Sequence, residues 1–147
     1  LKVSKKTLGV IILTLLLILA FFVYFDSIAR MLGLLQSPQP DFEISVNPGS
    51  LTLYNREGSQ NGTTITVKSI DGLSDNITFR VVSHGFMGDV IFTFDPPYLE
   101  LQAGGQAQCI LSLRVNSVAS PGLYVIDIIA TGSTREHLER ITLTIKE

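Results

Sequence analysis

Three features of the sequence predict an apolar amino-terminal α-helix followed by an all-β sandwich. Residues 7–25 hold no charge and no proline, and a helix needs about 20 such apolar residues to cross a hydrocarbon core. Gln36-Ser37-Pro38-Gln39-Pro40 then places two prolines in five residues, which ends a helix and favours an extended linker. Beyond Asp41 the apolar residues alternate with polar ones, and turn-forming clusters recur about every ten residues, the pattern of short antiparallel strands. The expected layout is a basic start and hydrophobic helix over 1–35, a linker over 36–40 and a sandwich over 41–147.

The helix comes first. Backbone groups in lipid or in a dry bundle must be satisfied within the segment, which a helix does. Thr14 does not break the pattern, because its hydroxyl returns to a carbonyl one turn back. Lys2, Lys5 and Lys6 precede the run, and Arg30 is the first basic residue after it. That asymmetry keeps the amino end cytoplasmic and carries the rest of the chain outward. Phe21, Phe22, Val23, Tyr24 and Phe25 form the aromatic end expected at the outer interface. A secretory signal also combines a basic start with an apolar run. This run is longer than the usual signal core and lacks a small-x-small cleavage site. Leu1 implies either a removed leader or a non-standard start codon.

Past Asp26, the residues Ile28, Met31, Leu32 and Leu35 follow helical spacing, so the helix is expected to continue to about Leu35. This stripe either lies in the headgroup layer or packs against other copies of the helix. On the second reading Leu13, Leu16, Ile28, Met31, Leu32 and Leu35 are the self-packing residues, and Lys2, Lys5 and Lys6 flank the membrane.

Strands are expected near 42–46, 51–54, 63–70, 77–82, 90–94, 98–101, 108–115, 123–131 and 138–145. Between them sit clusters such as Asn47-Pro48-Gly49-Ser50, Asp95-Pro96-Pro97 and Pro121-Gly122, which supply positive or fixed φ where the chain reverses. Side chains two apart share a sheet face. The core set is therefore Ile65 and Val67; Ile77, Phe79 and Val81; Cys109, Leu111, Leu113 and Val115; Tyr124, Ile126 and Ile128; and Ile141, Leu143 and Ile145. Burying one such side chain contributes about 1.5–3 kcal/mol, largely offset by chain entropy. Ile110, Val125 and Ile129 point outward; a contiguous patch of such residues marks a subunit contact.

Little of the sequence points to chemistry. The single cysteine, Cys109, lies on an inward face, where a buried thiol is inert, and one cysteine makes no internal disulfide. His84 and His137 lack the spacing of metal ligands. No Gly-x-Ser-x-Gly, phosphate loop or dinucleotide turn is present. Asp71, Asp75 and Asp89 are read as turn residues before calcium ligands. The net charge is −2, and without the three early lysines it becomes −5, which argues against nucleic acid as a partner. No cofactor is expected. Two sequons, Asn61-Gly62-Thr63 and Asn76-Ile77-Thr78, make Asn61 and Asn76 candidate glycosylation sites on an exported chain.

The run Asp41-Phe42-Glu43-Ile44-Ser45-Val46-Asn47-Pro48-Gly49-Ser50-Leu51-Thr52-Leu53, then Gly104-Gly105-Gln106-Ala107, Pro121-Gly122-Leu123-Tyr124-Val125-Ile126 and Ile141-Thr142-Leu143-Thr144-Ile145, resembles an Ig-like domain. Such domains occur on archaeal and bacterial surface proteins and beside some secreted glycosidases. The resemblance covers nearly all of 41–147 and implies fold and an extracellular setting. It implies no activity, since these domains serve as spacers, adhesion modules and filament subunits alike. Tyr124 stands where Ig-like domains often place a tyrosine corner; a plain core aromatic is the other reading.

The whole layout resembles archaeal type IV pilins and archaellum-related proteins, in architecture rather than in a sharp motif. That resemblance implies a homopolymer whose helices pack in the filament core while the sandwiches face outward. The three lysines before the helix depart from the family's processed start. Three classes follow: a non-enzymatic filament subunit, a membrane-anchored surface module in contact with cell-envelope proteins, and, last, a surface enzyme.

Overall fold

The computed structural model describes residues 5–33, 39–85 and 87–147; within the helix it describes the side chains at 9, 11–21, 24, 25, 27–29 and 31. The chain divides into two units, Leu1–Pro38 and Gln39–Glu147.

The first unit contains helix α1, Lys5–Met31. Phe21 and Phe25, one turn apart, set their rings 5.3 Å apart. The helix stops short of the expected Leu35. Leu32 still donates to the Ile28 carbonyl at 2.9 Å, and Gly33 then adopts φ +69°, the left-handed turn that closes helices. Leu35 lies outside the described residues. The expectation of a long apolar helix requires correction as well: among the described residues, no helix is long and apolar enough to cross a membrane.

The second unit is the expected sandwich. Its described strands are β1 Asp41–Asn47, β2 Ser50–Tyr54, β3 Gln60–Ile70, β4 Asp75–His84, β5 Gly88–Asp95, β6 Tyr98–Leu101, β7 Gln106–Ala119, β8 Gly122–Thr131 and β9 Glu136–Lys146. One sheet runs β1-β3-β7-β5, the other β2-β9-β8-β4-β6. Alternation places Ile65, Val67, Ile77, Leu111, Leu113, Val115, Ile126, Ile128, Ile141, Leu143 and Ile145 between the sheets, all buried. Phe79, Val81 and Tyr124 also point inward but stay half-buried against that core.

Both sides of the sandwich are laced by a stretch of chain that changes sheets. β1 pairs antiparallel with β3, and after Pro48-Gly49 the chain joins the other sheet as β2, parallel to β9. On the far side, β5 pairs with β7, and after Pro96-Pro97 the chain joins β4 as β6. Each switch contains a cis X-Pro bond, Asn47-Pro48 and Asp95-Pro96.

Thr63, Ser69 and Tyr124 find hydrogen-bond partners near the switches and turns, whereas Arg135 Nε, in the turn between β8 and β9, is buried without one among the described residues. Thr63 Oγ1 donates to the Pro48 carbonyl at 2.7 Å. Ser69 Oγ donates to the Leu73 carbonyl and accepts from the Gly104 amide. The Tyr124 hydroxyl donates to the Ser120 carbonyl at 2.8 Å, four residues back, which is the tyrosine-corner geometry. At the start of β5 the register shifts between Gly88 and Val90. Gly88 is required there: its φ is +82°, and a Cβ would lie 2.6 Å from the Val118 carbonyl oxygen.

Candidate interaction surface

The outer face of the five-stranded sheet is built from three neighbouring strands. Register aligns Val82 of β4 with Asp127 of β8 and Arg140 of β9, and Arg80 with Ile129 and Leu138. Thr78, Thr131 and Glu136 form the next row. Alternation sends these side chains away from the core, yet Asp127 is only 6% exposed. Arg140 covers it, with Nε donating to Oδ1 at 2.7 Å and Nη2 to Oδ2 at 3.2 Å. His84 Nε2 lies 2.7 Å from the same Oδ2. Hydrogen bonds from Arg140 first, then His84, hold the Asp127 carboxyl down at about 2, and Asp127 in turn raises Arg140.

Both carboxylate oxygens are thus engaged, and Asp127 serves to fix Arg140 and His84 across the face. Around it stand Val82, Val125, Ile129, Leu138 and Leu123, with Leu138 and Leu123 well exposed. Arg80 and Glu136 pair at 3.2 Å along one margin. The arrangement sets fixed charges among apolar side chains on one sheet face.

Acid titrates the centre of this face. A carboxyl held below its ordinary value adds stability that is complete above pH ~4 and lost as pH falls through about 2. Thermal unfolding followed from pH 5 to pH 2 should therefore show a smaller loss of Tm for Asp127→Asn than for the native chain. Asp41, lowered by its hydrogen bond to His137, and Asp75, lowered by the Ser133 amide and hydroxyl, titrate with the same sign. The variant keeps their share of the acid sensitivity. Equal losses would show that the Asp127 network is energetically silent.

The expected site residues fall in several places. In α1 the side chains of Leu13, Leu16, Ile28 and Met31 are exposed, as is Leu32 just beyond it. Lys5 and Lys6 are in α1, but their side chains, like Lys2 and Leu35, lie outside what is described. Asn61 is exposed at the start of β3, its Nδ2 donating to the Thr52 carbonyl at 3.0 Å, and its sequon hydroxyl, on Thr63, is buried. Asn76 is exposed on β4. Of the three outward apolars, Ile110 is exposed, Val125 half-buried, and Ile129 almost covered.

Neither histidine stands alone. His84 meets Asp127, and His137 Nε2 lies 2.7 Å from Asp41 Oδ1 with its ring against Phe42. Asp71 is a turn residue with φ +51°. Asp75 accepts from Ser133, and Asp89 from Asn116 and Ser117. Among the described residues no three metal-ligating side chains converge. Cys109 is buried, and burial, with Asp95 adding, pushes its thiol up to about 11. Sequence reasoning missed the Asp127 cluster; its signal was one acid inside Val125-Ile126-Asp127-Ile128-Ile129.

No family model matches the chain, and no curated protein is similar to it. Solved structures share the sandwich. A family 123 glycoside hydrolase from Clostridium perfringens aligns with a TM-score of 0.53 at 10% identity, over 71% of this chain and 27% of that one. A FixG-related protein from Vibrio parahaemolyticus aligns with 0.53 at 12%, over 76% of this chain and all of that one. The CooA pilin subunit from enterotoxigenic Escherichia coli aligns with 0.48 at 14%, over 74% and 98%. This chain spans about a quarter of the hydrolase, whose activity belongs to that protein. At such identities the likeness shows the fold alone, a β-sandwich.

Proposed function

We propose that the chain is a non-enzymatic structural subunit of the cell surface, assembling with its own copies through α1 and displaying the sandwich outward. A type IV pilus-like filament is the finer form of this reading. One observation carries it. Over residues 11–21 of α1, nine large apolar side chains are exposed by 48–65%. A continuous apolar surface of this kind needs a cover, and identical helices supply one that repeats. The paired carboxylate of Asp127 and the scattered aspartates favour a structural role over a catalytic one.

Electron microscopy of material sheared from cells, labelled with antibody against the sandwich, tests this. Labelled filaments are the expected result. Recovery of the native protein solely as detergent-extracted monomers, with no surface polymer, rejects it. On an exported subunit Asn76 and Asn61 carry glycans, and an intact mass equal to the bare chain rejects that part.

A further inference from the structure

We infer that β5 is a self-pairing edge: two copies join their β5 strands antiparallel, about a two-fold axis at Ile91, and so merge two four-stranded sheets. The two sheets end in four strand edges, β1, β5, β2 and β6, and a free edge is a row of unused backbone donors and acceptors. β2 and β6 are short, at five and four residues. β1 carries Asp41 and Glu43. β5 is eight residues long, has neither charge nor proline between Asp89 and Asp95, and among the described residues pairs only with β7.

The flank of the sandwich beside β5 is also incompletely closed. Among the described residues β6 pairs with β4 only from Asp75 to Thr78, and beyond Thr78 β4 pairs with β8 alone. Phe79 and Val81 on β4, with Val90, Phe92 and Phe94 on β5, are the half-buried side chains left along this opening. Phe79 and Phe94 stack across it with centroids 5.3 Å apart. Outside the sheet, Ile91 is 46% exposed.

Charge selects the occupant. Pairing β5 with the β1 edge of another copy brings Asp89 and Asp95 toward Asp41 and Glu43, and like charges across a ladder are unfavourable. A second β5 avoids this. With Ile91 opposite Ile91, Val90 meets Phe92 twice and Asp89 meets Thr93 twice, so no acid faces another. Centring on Phe92 instead sets Asp89 against Asp95 twice. The contact is isologous and closed, so it joins copies in pairs without propagating.

The full-length chain in mild detergent, carrying Leu16→Glu to remove contacts through α1, provides the test. Directly opposed residues in an antiparallel ladder have Cα atoms about 4.5–5.5 Å apart, within disulfide reach. Ile91→Cys should therefore cross-link two copies under mild oxidation, because native Cys109 is buried and does not compete. Leu123→Cys, exposed on the other sheet, should not. Ile91→Lys should shift the mass in solution from dimer to monomer with an unchanged far-ultraviolet spectrum. A monomeric mass without Ile91→Lys, or cross-linking through Leu123→Cys and not Ile91→Cys, overturns the inference. Native filaments that lack an Ile91→Cys cross-link refute this edge alone; an edge cross-link without filaments refutes the filament alone.

Discussion

Replacing Tyr124 with alanine should lower the unfolding free energy by about 3 kcal/mol, the lower end for truncating a core aromatic. The ring is half-buried against the core, which keeps the figure below that of a fully enclosed residue. Gly122 and Gly85 both approach it closely: a Cβ on either would meet ring atoms at 3.3 and 3.5 Å. Larger neighbours have no room to fill the space left by truncation. Tyr124→Phe separates the hydrogen bond from the packing. It keeps the ring and loses only the bond to Ser120, which is worth about 1 kcal/mol net. Denaturant unfolding of both variants checks the pair. A change of under half a kcal/mol for alanine would mean that the corner is ornamental.

Leu16→Glu should abolish surface assemblies while leaving the sandwich folded. Leu16 is 58% exposed in the isolated chain, so one carboxylate there costs little in a monomer. Once copies cover that surface, the same charge is buried without a partner in every subunit, at about 3–5 kcal/mol each. Because the defect repeats with every copy, a single substitution is enough. Lys5→Gln or Lys6→Gln should leave assemblies intact. Microscopy of sheared material, with a near-native circular dichroism spectrum as control, decides the matter. Filaments persisting with Leu16→Glu would remove α1 from the contact.

The strands were legible because alternation is a local property. Ile141, Leu143 and Ile145 declare a buried face without reference to any partner, and they are buried. Pairing is not local. Nothing in Asn47-Pro48 or Asp95-Pro96 says that the chain changes sheets there, since turn chemistry reports a bend and not its destination. Asp127 shows the same limit: its face could be read, but its cover comes from Arg140 and from His84, 43 residues away. The end of α1 shows a further limit: helical spacing of apolar residues does not report the positive φ that Gly33 adopts just after Met31. The lateral opening beside β5 appears only as half-burial of side chains that alternation assigns to the core.

The parallel β2–β9 pair has a mechanical consequence. Asp41, at the entry to β1, is tied to His137 near the beginning of β9. Tyr54, at the end of β2, pairs with Lys146 near the end of β9. Entry and exit of the sandwich therefore lie near opposite ends of one strand, separated by about 30 Å at 3.3 Å per residue. Tension between Asp41 and Lys146 runs along the strands and pulls β2 and β9 in opposite directions. Their ladder, Ser50–Tyr54 on Thr142–Lys146, is then sheared, and its bonds share the force instead of opening one after another. A domain strung this way resists tension between its ends while staying soft to forces that peel a strand sideways.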